Sequence, residues 1–249
     1  MELSNLGVSV VIPALNEEKG VILTIQDFLK LEIVKEIIVV DNGSTDQTAM
    51  NALLSGARVI NEPVRGYGSA LLAGINNAKY PIIILCEADN SFYADDVNFF
   101  IPYLNYFDMV KGGRSIGSLI SNEADYGALL RWGNFLLAKF QSLLYFGINA
   151  NEFSNFRDMG GTFRIIKQDS FKKINGLITS KDSAFLADLT SLYLRNKLSV
   201  LEIPIRYRVR VGISKITGNK LTAIKLGFRM LLIILRNRIS SKAKFRSNE

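Results

Sequence analysis

Glu87, Asp89, Asp95 and Asp96 crowd four carboxylates into ten residues, directly after the short apolar run Ile82 to Cys86. Two acids at i and i+2, around the small Ala88, can share one hard cation that also takes phosphate oxygens. A run this short suits a strand buried on both faces, which puts the acids at its carboxyl end. Ligands of open α/β sheets bind just outside that end. A strand closing in a plain acidic turn has the same pattern, so these residues alone leave metal binding open.

The rest of the inventory narrows the chemistry. The 249 residues include no histidine and one cysteine, Cys86. Ser-His-Asp triads, Cys-His pairs, histidine zinc sites and histidine acid–base catalysis are excluded. An internal disulfide and a CxxC motif are excluded with them. Carboxylates, Arg, Lys, hydroxyls, backbone groups and a carboxylate-bound metal remain. At 48% hydrophobic residues the chain can bury a substantial core to hold them.

The elements that must position these groups alternate along the chain. Val8 to Ile12 reads as a buried strand stopped by Pro13. Asn16 is placed to cap a helix reaching about Leu31, with Glu17 and Glu18 at its positive end. A second strand, Glu36 to Val40, ends in Asp41-Asn42-Gly43-Ser44-Thr45-Asp46, where Ser44 or Thr45 can cap a helix to about Leu54. Arg58 to Asn61 is a third strand, and the turn Arg65-Gly66-Tyr67-Gly68 opens a helix through Ala78. The central strand is followed by a helix near Asp95 to Tyr106 and a strand from Met109 to Gly113. This alternation predicts an α/β domain with a mainly parallel sheet. Three strands then end in acid-bearing loops along one edge, as a ligand cleft requires. The segment GYGSAL lacks the third glycine of a dinucleotide fingerprint and does not follow the first strand, which argues against a Rossmann oxidoreductase.

In the second half, Tyr126 to Phe146 is amphipathic at helical period, with Arg131 and Asn134 three apart on one face. Asp158-Met159-Gly160-Gly161-Thr162-Phe163-Arg164 leads into a strand, and Ala184 to Asn196 reads as a helix. Ser199 to Tyr207 is a strand that Pro204 places near an edge. Asn219 to Ile239 is helical in period, and its longest charge-free apolar run, Met230 to Leu235, is far short of the roughly 20 residues a bilayer span needs.

Charge is unevenly spread. The net is +7, yet Ile203 to Asn248 carries 12 basic and no acidic residues, which leaves the remainder at −5. Such a tail attracts polyanions. Apolar side chains flanked by Lys and Arg suit a helix lying on an anionic membrane surface, with a core-packed terminal helix as the alternative. The apolar helix and its sparse aromatics argue against nucleic acid as the partner. The start, MELSNLGVSV, has no basic n-region and runs straight into a strand, so a cytoplasmic location is expected.

Four blocks in order, VSVVIPALNEE, IIVVDNGSTDQT, RGYGSALLAGI and ILCEADNSF, resemble the inverting glycosyltransferases of family two, which have the GT-A fold. DMGGTFRIIKQDSF resembles that family's acceptor-side block, and EIPIRYRVRVGISKI its ending before the C-terminal helix. These endings point to the dolichyl- or polyprenyl-phosphate sugar transferase branch. The resemblance implies a nucleotide-sugar site from Pro13, Ala14, Leu15 and Glu17, with Asp41 or Asn42 on the base and Arg65, Gly68 and Ala88 near the donor. Glu87 and Asp89 take the two acidic positions of the metal motif, holding Mg²⁺ or Mn²⁺ on the donor diphosphate. Arg114, Arg131 and Asn134 are implied at the acceptor phosphate, and Arg210, Ser214 and Lys215 over the diphosphate; Asp89, Arg114, Arg131 and Arg210 would carry the catalysis. The chain departs from the usual pattern in having Glu87 for Asp, Ser91 for Gln, and Asp41-Asn42 for a pair of aspartates.

The domains implied are a transferase domain over 1–215, with a nucleotide-sugar half (1–100) and an acceptor half (101–215), and a basic amphipathic helix and tail over 216–249. The implied reaction moves a sugar from a GDP-mannose or UDP-glucose type donor to a polyprenyl or dolichyl phosphate at the cytoplasmic membrane face. A phosphate acceptor is already anionic and needs little base catalysis. A sugar hydroxyl acceptor, the alternative, would need a carboxylate base, for which Asp158 and Asp188 are the candidates. A non-catalytic membrane-binding or nucleic-acid-binding protein is the third reading. The base, the sugar and the oligomeric state stay open.

Overall fold

The computed structural model describes residues 7–114, 119, 128–148, 155–212 and 220–240, and of 128–130 and 220–221 the backbone alone. Its strands are β1 (Val8–Ala14), β2 (Val34–Asp41), β3 (Arg58–Asn61), β4 (Ile82–Leu85), β5 (Met109–Gly113), β6 (Arg164–Lys167) and β7 (Val200–Pro204). They form one sheet in the order β3-β2-β1-β4-β6-β5-β7. All run parallel except β6, which is antiparallel to β4 and β5. The acid-bearing strand β4 is the middle one, and Pro204 ends the edge strand β7.

Alternation along the strands builds two cores, because successive side chains leave opposite faces. Val10, Ile12, Val39 and Ile84 point to one face, where α1 (Gly20–Leu29) contributes Val21, Ile25 and Phe28 and α2 (Thr48–Leu54) contributes Ala52. Val11, Ile38, Ile83 and Leu85 point to the other. There α3 (Tyr67–Asn77), α5 (Ala128–Leu144), α7 (Phe185–Arg195) and α8 (Lys220–Ile239) complete the core. The short α4 (Val97–Phe100) and α6 (Gln168–Lys172) fill the connections around them.

Three local expectations are corrected. Asn16 does not cap α1: it adopts φ +53°, its Oδ1 accepts the N–H of Thr45 at 2.8 Å, and α1 begins only at Gly20. Neither Ser44 nor Thr45 caps α2. Ser44 Oγ accepts the N–H of Asn16 at 3.0 Å, and Asp46 Oδ1 instead accepts that of Thr48, where α2 starts. The polar residues of the first two strand–helix loops are thus spent on tying those loops to each other. The helix expected over Asp95 to Tyr106 is broken into a 3₁₀ turn (Ala94–Asp96), α4 and a second 3₁₀ turn (Ile101–Asn105), because Pro102 lacks an N–H to donate.

Candidate active site

Parallel pairing of β2, β1 and β4 brings the carboxyl ends of these strands to one edge. Asn42 N–H bonds Ala14 C=O at 3.0 Å and Cys86 N–H bonds Val11 C=O at 3.1 Å, so Pro13–Leu15, Asp41 and the Glu87–Asp89 segment lie side by side. Antiparallel β6 delivers the segment preceding it to the same edge. Thr162 there donates to Glu87 Oε1 at 2.6 Å, and the Tyr67 hydroxyl lies 2.6 Å from Thr162 Oγ1.

The acid pair has the electrostatics of a cation site. Burial and the charge of Asp89 push the Glu87 carboxyl up to about 7, against the lowering effects of Thr162 and Arg114. Asp89 is 2% exposed, and its Oδ1 accepts the N–H and O–H of Ser91 at 3.1 and 2.6 Å. Its Oδ2 is buried without a hydrogen bond, with Arg210 Nη1 at 3.4 Å. A buried carboxylate oxygen left without a donor is costly unless a ligand completes it. Two crowded carboxylates, one of them with an oxygen that makes an ion pair but no hydrogen bond, fit a hard cation. Among the described residues no group of three or more such ligands converges, so phosphate oxygens and water would fill the remaining positions.

A strap from the end of the chain closes the site. Arg208 N–H bonds Ser91 C=O at 2.9 Å, Val211 N–H bonds Asp89 C=O at 2.8 Å, and Tyr207 bridges Phe92. The Tyr93 ring meets two guanidiniums, Arg206 at 4.7 Å and Arg208 at 4.5 Å from its centroid. Arg206 is held by Asp95 and Asp96, and Arg208 by Asp27 and Asn90. Arg210 follows, with Nη2 on Glu17 Oε1 at 3.0 Å.

Other expected donor residues serve more than one purpose. Pro13, Ala14 and Ala88 are buried, and Leu15 is half-buried at the end of β1. The Asn42 amide donates to the carbonyls of Glu62 and Val64, both at 2.9 Å, and its Oδ1 accepts the N–H of Gly66 at 2.7 Å. That shapes the turn before α3 and leaves Asp41 as the carboxylate of the pair. Gly66 has φ +138°, and a Cβ there would lie 2.1 Å from the Lys181 carbonyl oxygen, so only glycine fits. Gly68 likewise packs against the Ser180 and Asp182 carbonyls rather than lining the cleft. Arg65 is exposed, its guanidinium over Gly43. Ser214 and Lys215 lie outside the described residues.

The structure joins Arg114 and Asn134, both expected at the acceptor phosphate, at one carboxylate, that of Asp158. Arg114 Nε donates to Asp158 Oδ2 at 2.7 Å and Nη2 to Oδ1 at 3.1 Å, while Asn134 Nδ2 reaches Oδ1 at 2.6 Å. Arg131, one turn before Asn134, is exposed.

Comparison with known proteins fits this layout. Residues 9–175 match the description of Glycosyl transferase family 2. The chain belongs to that family. This family 2 transferase is 32% identical over 232 residues to an uncharacterised protein of Methanocaldococcus jannaschii, across 88% of this chain and 91% of that one. A dolichyl-phosphate hexose transferase of Haloferax volcanii is 24% identical over 209 residues, 84% of this chain and 86% of that one. An uncharacterised glycosyltransferase of Mycobacterium tuberculosis is 40% identical over 108 residues, 43% of this chain and 48% of that one, so the match spans about half that relative's length. Among solved structures, glucosyl-3-phosphoglycerate synthase from M. tuberculosis, in complex with Mn²⁺, UDP and phosphoglyceric acid, has a TM-score of 0.70 at 20% identity. That likeness covers 97% of this chain and 83% of that one. It is a likeness of fold, and the fold is GT-A.

Within the family 2 transferase, neither candidate base is available. Besides Arg114 and Asn134, Asp158 accepts the N–H groups of Arg114 (3.0 Å), Gly160 (3.1 Å) and Gly161 (3.0 Å). Burial alone would raise its carboxyl, but the charge and hydrogen bonds of Arg114 and Asn134 outweigh it and hold the group well below the usual range. Asp188 is fully buried on α7 and accepts from the N–H groups of Thr179 and Ser180 and from Asn237. Both acids are structural. Thr162, Tyr67 and Tyr207 at the cleft were not singled out from sequence; Thr162 could have been, as the one hydroxyl in the Gly-Gly-Thr-Phe block.

Proposed function

We propose that this glycosyltransferase moves a sugar, with inversion, from a nucleotide-diphosphate donor to a polyprenyl or dolichyl phosphate at the face of a membrane. Glu87 and Asp89 would hold Mg²⁺ or Mn²⁺ against the donor diphosphate. A bound cation neutralises the charge that develops on the leaving diphosphate. Arg210, already on Glu17 and Asp89, is positioned to hold the same diphosphate, and Arg114 to hold the acceptor phosphate in line with the anomeric carbon. A phosphate oxygen then forms the new bond to that carbon as the nucleoside diphosphate leaves. No proton needs to be removed from the nucleophile.

The observation that carries this reading is the saturation of Asp158. With Asp158 spent on Arg114, the acceptor side offers an arginine in place of a base, which suits an anionic nucleophile. A surface beside it supports a lipid acceptor. Parallel helices α5 and α8 lie against each other through Leu137 and Gly227, the Tyr145 hydroxyl to Ile234 C=O, and Arg238 to Leu144 C=O. Away from the core, α5 exposes more than half of Trp132, Leu136 and Leu143, and Phe146 just beyond its end is exposed to the same degree. From α8, Ile224, Phe228, Leu232 and Ile239 are exposed to the same degree, interleaved with Lys225, Arg229, Arg236 and Arg238. Neither helix carries an acid, and apolar stripes rimmed by cations suit an anionic bilayer surface. Among the described residues no helix is long and apolar enough to cross a membrane.

The test is incubation with GDP-, UDP- and dTDP-sugars plus Mn²⁺ and polyprenyl phosphate, with product analysis. A mild-acid-labile sugar phospholipid is the expected product. Transfer to a glycan hydroxyl alone would overturn the acceptor assignment, and no metal-dependent nucleotide binding would overturn the enzyme.

A further inference from the structure

Beneath Asp158 lies a second ion pair that the reaction does not touch. Lys111 of β5 is fully buried, and its Nζ lies 3.0 Å from Glu202 Oε2 of β7 and donates to the Asp158 main-chain carbonyl at 2.6 Å. Glu202 in turn accepts the N–H groups of Arg157 (2.9 Å) and Asp158 (3.2 Å). The Phe156 ring covers the ammonium at 4.5 Å. Room for the carboxylate comes from Gly113, where a Cβ would lie 2.6 Å from Glu202 Oε1. The Asp158 backbone is thus fixed from both sides by Lys111 and Glu202, while its side chain fixes Arg114. The Arg114 guanidinium lies 5.2 Å from the centroid of the Tyr207 ring of the strap.

The structure assigns Asp158, together with the buried Lys111–Glu202 pair, as positioning residues for the acceptor arginine Arg114. Two ion pairs in series, Lys111–Glu202 and Asp158–Arg114, set the distance between the acceptor phosphate and the donor held at Glu87 and Asp89. This rests on the acceptor reading above. Lys111, Glu202 and Asp158 lie on β5, β7 and the segment before β6, outside strands β1, β2 and β4, so their loss is expected to act chiefly on the acceptor. Misplacement of a reacting group by about 1 Å costs about a hundredfold in rate.

The experiment compares wild type, Asp158→Asn, Arg114→Ala and the double variant in metal-dependent nucleotide binding and in transfer kinetics to polyprenyl phosphate. Asp158→Asn should keep the nucleotide-induced thermal shift, lose roughly ten- to a hundredfold in acceptor kcat/KM, and add nothing to Arg114→Ala in the double variant. Wild-type acceptor kinetics in Asp158→Asn, or losses that multiply in the double variant, would overturn the assignment. Should Asp158→Asn not fold, the combined Lys111→Met and Glu202→Gln variant decides. It removes the buried pair without leaving a lone charge, and the same acceptor-only loss is expected against unchanged kinetics. An NMR readout separates this proposal from the acceptor reading. The Arg114 Nε–H resonance, expected to exchange slowly in wild type because it bonds Asp158 Oδ2 at 2.7 Å, should be lost in Asp158→Asn whichever acceptor is used. If wild type makes no sugar phospholipid, the acceptor reading fails; if the resonance persists in Asp158→Asn, the positioning assignment fails.

Discussion

Arg210 Nη1 lies 3.4 Å from Asp89 Oδ2, while Nη2 of the same guanidinium donates to Glu17 Oε1 at 3.0 Å. One cation from the end of the chain therefore bridges the loops after β1 and β4, on the oxygen that a metal would claim. Two positive charges this close repel until a diphosphate arrives between them. Replacing Arg210 by Gln is expected to tighten Mn²⁺ alone several-fold and to weaken Mn²⁺ with a nucleotide sugar about tenfold or more. Calorimetric titrations of metal with and without nucleotide would show the two opposite signs; shifts of the same sign would count against this role.

The acid pair should govern all metal-dependent behaviour. At 100 times its dissociation constant a nucleotide sugar stabilises by about 2.7 kcal/mol, visible as a rise in Tm with Mn²⁺. EDTA, Glu87→Gln and Asp89→Asn should each abolish that rise. A full rise in EDTA would remove Glu87 and Asp89 from the donor site.

Asp158 makes a pH prediction of definite sign. Its folded pKa is depressed below the ordinary value of 3.8, so its pairing stabilises the fold above that value and is lost as pH falls. Breaking a buried pair costs about 3–5 kcal/mol, so Asp158→Asn should melt well below wild type at pH 7. The gap should stay constant down to about pH 5 and narrow below about pH 4. A gap that widened in acid would show that the pairing is not what holds this carboxylate.

The outward faces of α5 and α8 should bind vesicles. Wild type is expected to float with anionic but not neutral vesicles and to release as salt rises, as charge-assisted interfacial binding does. Phe228→Ser combined with Trp132→Ser should abolish flotation and leave nucleotide binding unchanged, since both side chains are more than half exposed. Equal flotation of this variant would place the contact elsewhere.

Much of this was readable in advance where one local rule decided the outcome. The apolar run of β4 and its acids, the strand–helix alternation, and the edge position that Pro204 imposes on β7 all follow from patterns within ten residues. Two of the misreadings involve long-range partners; the third, the helix broken at Pro102, is local. Asn16 and Ser44 look like helix caps until each is seen to serve the other's loop. Nothing in Arg-Ile-Ile-Lys tells that β6 runs against its neighbours, because side-chain alternation carries no direction. Yet that reversal is what sets Thr162 on Glu87. Asp158 was legible as an acid near the site but not as an anchor, since its partners lie 24 and 44 residues away.

The strap has a consequence for how the enzyme is made. Arg208 meets Asn90 across 118 residues, and at about 5–20 residues per second a ribosome takes roughly ten seconds to cover that distance. β1 to β4 can leave the exit tunnel and pair while the arginines that close over Asp89 have yet to be translated. A nascent chain can therefore carry β1, β2 and β4 with their acids before the strap that covers Asp89 exists.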